Sequence, residues 1–339
     1  MSGGVDSSVT AALLVRAGYD VTGVYMKNWS QDLPGFTCPW QEDYQDAKRV
    51  AVQLGIDFKM YDFEKEYRSL VVDYMVAGYR AGITPNPDIM CNQEVKFKLF
   101  LDAALADGAD LIATGHYARS QAGQLSTGID ANKDQSYFLY RVTSEALSRS
   151  LMPIGGFEKP RVRELAADFK LATAAKKDSQ GICFVGKVGI KDFLLAELGP
   201  QPFGAIVDQN GVSIGEHDGA LFYTIGQRHG LEVGGGLPYY VVGKDMAKNE
   251  VHVTTDLQDG RLWRDELTLG SLHWINDAPI DGQQLLVRTR YRASLVDCLV
   301  TLGVDQATIK LSEEVRAITP GQSAVLYDGE RVVGGGIVI

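Results

Sequence analysis

The sequence predicts a doubly wound parallel α/β sheet, followed by a small β module and a C-terminal β-barrel. The first half alternates short apolar runs with amphipathic stretches of helical length, the pattern of a parallel sheet covered on both faces. Past Gly199-Pro200-Gln201-Pro202 the texture changes to short β-branched and aromatic runs separated by Gly, Asp and Asn. A chain of 339 residues has room for about two or three domains. They are expected over residues 1–199, 200–260 and 261–339.

Residues 7–17 read as a helix with Val9, Leu13 and Ala17 on one stripe and Gly18 suited to its end. Residues 21–26 form a short apolar strand. Residues 42–54 are helical, with Ala47, Val50, Ala51 and Leu54 on one face. A second strand is expected over 56–61 and a long helix over 63–81. Pro85 and Pro87 bias the chain away from helix, so the next helix is placed at 92–106. The run 111–114 is a strand ending at Gly115-His116. In the second half, strands are expected over 204–207, 221–225, 239–242 and 251–254. The barrel's are expected over 284–290, 295–302, 307–311, 322–327 and 332–339.

Composition narrows the function. Apolar residues make up 45% and charged residues 22%, which excludes wholesale disorder. No apolar run reaches the ~18 residues of a membrane span. No basic stretch leads into an apolar core and a small-residue cleavage site, so no targeting peptide is visible. The four cysteines, Cys38, Cys91, Cys183 and Cys298, form no CxxC pair. This argues against a disulfide scaffold and a structural zinc site, and for a reducing, cytoplasmic compartment. The net charge of −10 weighs mildly against nucleic acid, a prior that local motifs must overcome.

Ser2-Gly3-Gly4-Val5-Asp6-Ser7-Ser8 opens a helix. Two glycines let backbone N–H groups close on an anion, the serines add donors, and the helix N-terminus adds positive potential. The loop lacks the lysine of a GxxxxGK[ST] motif. Such a loop ordinarily follows a strand, and residues for that strand are expected upstream of Met1. Met26 and Gly115-His116 fall at strand carboxyl ends, where ligands of such sheets sit. Cys91 is expected at a helix N-terminus, where the dipole and nearby Lys96 and Lys98 favour a thiolate. Cys183, apolar-flanked, would alone read as core. Asp88 lies three residues before Cys91 and is a candidate proton shuttle; its plainer reading is a turn residue. Asp6 caps a helix or helps hold a magnesium ion.

Basic residues cluster around Lys133, Arg141, Arg161, Arg163, Lys176, Lys177, Arg228, Arg288, Arg290 and Arg292, a possible phosphate track. In Arg288-Thr289-Arg290-Tyr291-Arg292, alternation places three guanidiniums on one strand face and Tyr291 opposite.

The Ser2–Ser8 loop is similar to the pyrophosphate (PP) loop of the adenine-nucleotide α-hydrolases, which cleave ATP to AMP and pyrophosphate. Further motifs are NPDIMCN at 86–92, ATGHYAR at 113–119, KDQSY at 133–137, DSQGICF at 178–184, YTIGQR at 223–228 and TRYR at 289–292. Together, and in order along nearly the whole chain, they resemble the tRNA-specific 2-thiouridylases, which thiolate the wobble uridine. The resemblance implies a PP-loop fold and ATP, with magnesium, as cofactor. Met1, Ser2, Gly3, Gly4, Val5, Asp6, Ser7, Met26 and Gly115 would hold the nucleotide. It implies Cys183 as persulfide carrier, Cys91 as its catalytic partner in a transient disulfide, and Asp88 in catalysis. It implies tRNA contacts at Asn86, Pro87, Asp88, His116, Lys133, Asp134, Gln135, Arg290, Tyr291 and Gln322. A partner protein supplies the persulfide sulfur. Cys38 and Cys298 match no such role and read as structural. Two other readings stay open: a PP-loop enzyme amidating or ligating a small molecule, and a non-catalytic nucleotide- or RNA-binding module.

Overall fold

Glycines set the punctuation of the first domain in the computed structural model, which describes residues 1–32, 37–178, 189–231, 233, 234, 236 and 238–339. Helix α1 (Val5–Arg16) buries Val5, Val9 and Ala12 against the helix Lys159–Asp168, which contributes Val162, Leu165 and Ala166. Strand β1 (Thr22–Lys27) pairs in parallel with β2 (Asp57–Asp62), in register from Thr22↔Asp57 to Lys27↔Asp62. The crossover is helix α2 (Trp40–Leu54), closed by Gly55 at φ 68, a left-handed position that glycine takes without Cβ strain. Strand β3 (Ile112–Ala113) leads into a hairpin, β4 (Ala118–Gln121) and β5 (Gln124–Thr127), and pairs in parallel with β6 (Ser150–Leu151).

The expected parallel sheet is thus present as two parallel pairs that are not hydrogen-bonded to each other among the described residues. The backbone nitrogen of Met1 donates to the carbonyl of Val24 on the edge of β1.

A continuous helix over 64–80 carries a π-helical stretch at Arg68–Val72 and buries Tyr67, Val71, Met75 and Tyr79. The next helix runs over 87–106, not 92–106. Asn86 caps it by accepting from the Ile89 N–H at 3.4 Å, and Pro87 occupies the first turn, where its missing N–H costs nothing. Its middle, Cys91–Leu99, is π-helical. Such stretches occur mostly as single-turn bulges, often at functional sites.

The central module is a four-stranded sheet of β7 (Gly204–Val207), β8 (Ser213–His217), β9 (Tyr240–Asp245) and β10 (Glu250–Thr254), ordered β8-β7-β10-β9. The strand expected at 221–225 is absent; a 3₁₀ turn, Ala220–Phe222, stands there. Its apolar run packs into one cluster with Tyr79, Phe193 and Leu194, so burial and not strand pairing explains its composition.

The C-terminal strands are β11 (Trp263–Trp274), β12 (Gln283–Arg288), β13 (Val296–Leu302), β14 (Ala307–Arg316), β15 (Ser323–Asp328) and β16 (Arg331–Val338). They close into an antiparallel ring, β11-β14-β13-β12-β15-β16 and back to β11. Leu267, Leu269, Leu285, Val287, Val300, Ile309 and Leu326 fill it. The first domain's β5 pairs with β16 through Val332↔Leu125 and Arg331↔Ser126, so its hairpin extends the barrel sheet. The strand expected to run to Arg290 ends at Arg288, and Arg292 sits at φ 63, so the three arginines do not share a strand face. Among the described residues, no helix is long and apolar enough to cross a membrane.

Candidate active site

The Ser2–Ser8 loop is shaped to receive an anion. Gly4 precedes α1, and no side chain caps the helix's first N–H groups. Gly3 lies at φ 75, and a Cβ there would come within 2.4 Å of the Asp43 carbonyl oxygen. Ser7 Oγ accepts from Ser2 N at 3.1 Å, and Ser8 Oγ donates to the Gly4 carbonyl at 2.7 Å. Gly115, at the end of β3, lies against the loop; a Cβ there would sit 2.9 Å from Ser7 N. These residues fit the phosphates of ATP. Met26 is half-buried against the cluster that holds Tyr61 and Phe63.

Asp6 is the loop's link to the other motifs. Its Oδ1 accepts from the Tyr117 hydroxyl at 2.8 Å and from Lys159 Nζ at 2.7 Å. Lys159 also reaches Asp178 at 2.8 Å, as does Lys133, and Arg163 contacts the same carboxylate. Burial alone would raise the Asp178 carboxyl; hydrogen bonds from Lys133 and Lys159 overcome it and hold the group well below the usual carboxylate range. Gln135 accepts from the Tyr117 N–H and donates its own N–H to the Tyr117 carbonyl. Four separate motifs thereby meet at one network.

Cys91 is buried and lies in the second turn of helix 87–106, not at its N-terminus. Its N–H is bonded within the helix, so the expected activation by free first-turn N–H groups does not hold for it. Asp88, half-buried, precedes it by one turn. Cys183 lies outside the described residues. Phe97 on the same helix stacks near His116, with ring centroids 5.7 Å apart. Burial, with Lys96 nearby, lowers the His116 imidazole well below its ordinary value, and its Nδ1 meets Thr114 Oγ1 at 2.9 Å.

The candidate RNA contacts divide. Lys133 and Gln135 lie in the Asp6 network. Asp134 is buried: one carboxylate accepts from Gly128 N, Ser136 N and Ser136 Oγ and pairs with Arg288 at 2.9 Å. Its side chain therefore braces the interior. Arg290 donates to the carbonyls of Ile225 and Ala317 and to Thr319. Tyr291 stacks on Phe138 at 4.5 Å beneath Arg292. Gln322 donates to the Thr84 carbonyl at 2.7 Å, near Asn86-Pro87.

Comparison with known proteins identifies the family. A profile described as the tRNA methyl transferase HUP domain matches residues 1–187. The tRNA methyl transferase PRC-barrel domain matches 191–255, and the aminomethyltransferase β-barrel domain matches 264–338. The tRNA-specific 2-thiouridylase MnmA of Bacillus velezensis is 48% identical over all of this chain and 93% of its own length. That of Bacillus subtilis is 47% identical with the same coverage, and that of Neisseria meningitidis serogroup B 47% over all of this chain and 94% of its own. The chain belongs to the tRNA-specific 2-thiouridylase family.

For a 2-thiouridylase, sequence reasoning missed four residues that shape this site: Thr84, Tyr117, Lys159 and Asp178. Tyr117 and Asp178 stand inside quoted motifs but were given no part. Lys159, next to Pro160 in an ordinary helix start, carries no sequence signal.

Proposed function

We propose that this chain is a tRNA-uridine 2-sulfurtransferase acting in the cytoplasm on the wobble uridine. One observation carries the reading: Gly115 touches the Ser2–Ser8 loop while its neighbour His116 packs on Phe97 of the helix bearing Asp88 and Cys91. A single strand end thus joins an anion loop to a thiol-bearing helix.

The C2 oxygen of the uracil attacks the α-phosphorus of ATP, pyrophosphate leaves, and the ring N3 proton passes to Asp88. The terminal sulfur of a Cys183 persulfide then attacks C2, and AMP departs with the former C2 oxygen. The Cys91 thiolate attacks the Cys183 sulfur, and the S–S bond breaks toward the base. Asp88 returns its proton to N3 of the released base, and the products are 2-thiouridine and a Cys91–Cys183 disulfide, which an external thiol reductant reopens. A partner protein's persulfide reloads Cys183, and magnesium accompanies ATP. The base must be splayed from the anticodon loop to reach the site.

Incubating the chain with tRNA, ATP and a small-molecule persulfide, then digesting the tRNA for mass spectrometry, tests the reading. The expected products are 2-thiouridine, AMP and pyrophosphate. ADP as the main nucleotide product, or tRNA without added sulfur, overturns it.

A further inference from the structure

The Asp6 network contains one group whose placement a binding loop alone does not require. Lys159 is the only described cation bonded to both Asp6 and Asp178, at 2.7 and 2.8 Å. Its side chain is 12% exposed, against 32% for Lys133 and 30% for Arg163, so it is not a solvated surface lysine. It is also held in place. The Asp130 carboxylate accepts from Lys159 N at 2.9 Å and from Lys133 N at 3.1 Å, fixing the backbone of both lysines. The Tyr117 ring lies 5.7 Å beneath the ammonium.

The two carboxylates belong to different machinery. Asp6 lies in the anion loop, and Asp178 directly precedes residues 179–188, which include Cys183. Three cations (Lys133, Lys159, Arg163) face three carboxylates (Asp6, Asp130, Asp178), so the cluster beside the loop is charge-balanced and loss of one carboxylate leaves it positive. An ammonium shared between two anions binds each more tightly when the other withdraws. Any change at Asp6 on nucleotide binding therefore alters the hold on Asp178, and linkage makes the effect reciprocal.

We propose that Lys159 is a positioning residue that couples the nucleotide loop to the base of the segment carrying Cys183. The proposal rests on the reading of the loop as an ATP site and of Cys183 as the sulfur carrier.

A double-mutant cycle on ATP affinity, measured by calorimetry on the full chain without tRNA, tests it. Among the described residues no hydrogen bond or ion pair joins Asp178 to the loop, yet Asp178→Asn should tighten ATP binding about fivefold by freeing Lys159 and adding net positive charge. In a Lys159→Met background the same change should shift affinity by less than about twofold. The cycle is repeated with Lys159→Gln, which removes the charge but keeps a polar donor, should the methionine variant fail to fold. Lys159→Arg, able to span two carboxylates, should restore the response to Asp178→Asn, and the AMP released per thiouridine formed should stay near that of the unchanged chain. In Lys159→Met that ratio should rise. Equal effects of Asp178→Asn with and without Lys159 overturn the coupling while leaving the loop reading intact. Failure of the unchanged chain to bind ATP overturns both.

Discussion

Cys91 and Cys298 are both buried, and the proposed reaction uses only Cys91. Cys298 faces the barrel core, and burial pushes its thiol up to about 12, so it stays protonated and inert. Cys298→Ser and Cys38→Ser should leave thiouridine formation unchanged at modest cost in stability. Cys183→Ser should make none while still binding ATP and tRNA, and Cys91→Ser should accept a persulfide yet fail to complete transfer. Nucleoside analysis after each reaction decides; full thiolation by Cys183→Ser would end the assignment. Histidines supply a second test. Burial lowers the imidazoles of His116, His217 and His273. The unfolded chain therefore takes up protons first as pH falls through about 6.5, and stability is lost below that point at about 1.4 kcal/mol per pH unit per group. Urea unfolding at pH 7.5 and 5.5 should show the loss, and His116→Gln should shrink it. At this scale residue type alone named little: Cys183 by itself reads as core, and the roles expected of Cys91 and Cys183 come from the resemblance of their motifs. The sequence was silent where a charge matters only through its neighbours, as with Lys159.

The elements were legible wherever local chemistry decides them. α1, β1 and α2 follow from apolar period and a closing glycine. The helix over 87–106 was placed too late because two prolines read as breakers, whereas Asn86 and Pro87 together make a start. The twelve-residue β11 was missed because its apolar residues are diluted by charge in Trp263-Arg264-Asp265-Glu266. One consequence is specific to β3. Gly115 must be glycine because backbone, not a movable side chain, faces its missing Cβ. Gly115→Ala should push the strand end from Ser7 and weaken ATP binding by at least about tenfold, corresponding to roughly 1.4 kcal/mol. Gly156→Ala, where a Cβ meets nothing within 4 Å, is the control and should leave ATP affinity unchanged. Equilibrium binding of ATP reads both.

Across the whole molecule, the parts are held by buried polar bonds that no sequence window contains. Tyr137 donates to the Ser323 carbonyl at 2.8 Å, Tyr140 meets Ser323 Oγ at 3.0 Å, and Arg288 pairs with Asp134. Asp134 is 3% exposed, so Asp134→Ala leaves the Arg288 charge uncompensated and should destabilise the protein by about 3–5 kcal/mol. Denaturant unfolding measures this. A loss under about 1 kcal/mol would place the pair among solvated bridges. Texture alone suggests three domains, but the contacts between the halves of the chain depend on partners almost two hundred residues apart in sequence, as Tyr137 and Ser323 are. The pairing of β5 with β16 carries this furthest in time. Leu125 emerges from the ribosome long before Val332, its ladder partner. Until then β5 presents an open edge, the kind of surface on which chains aggregate. The first domain therefore cannot finish folding when its own last residue is made, and synthesis interrupted anywhere in the barrel leaves that edge bare.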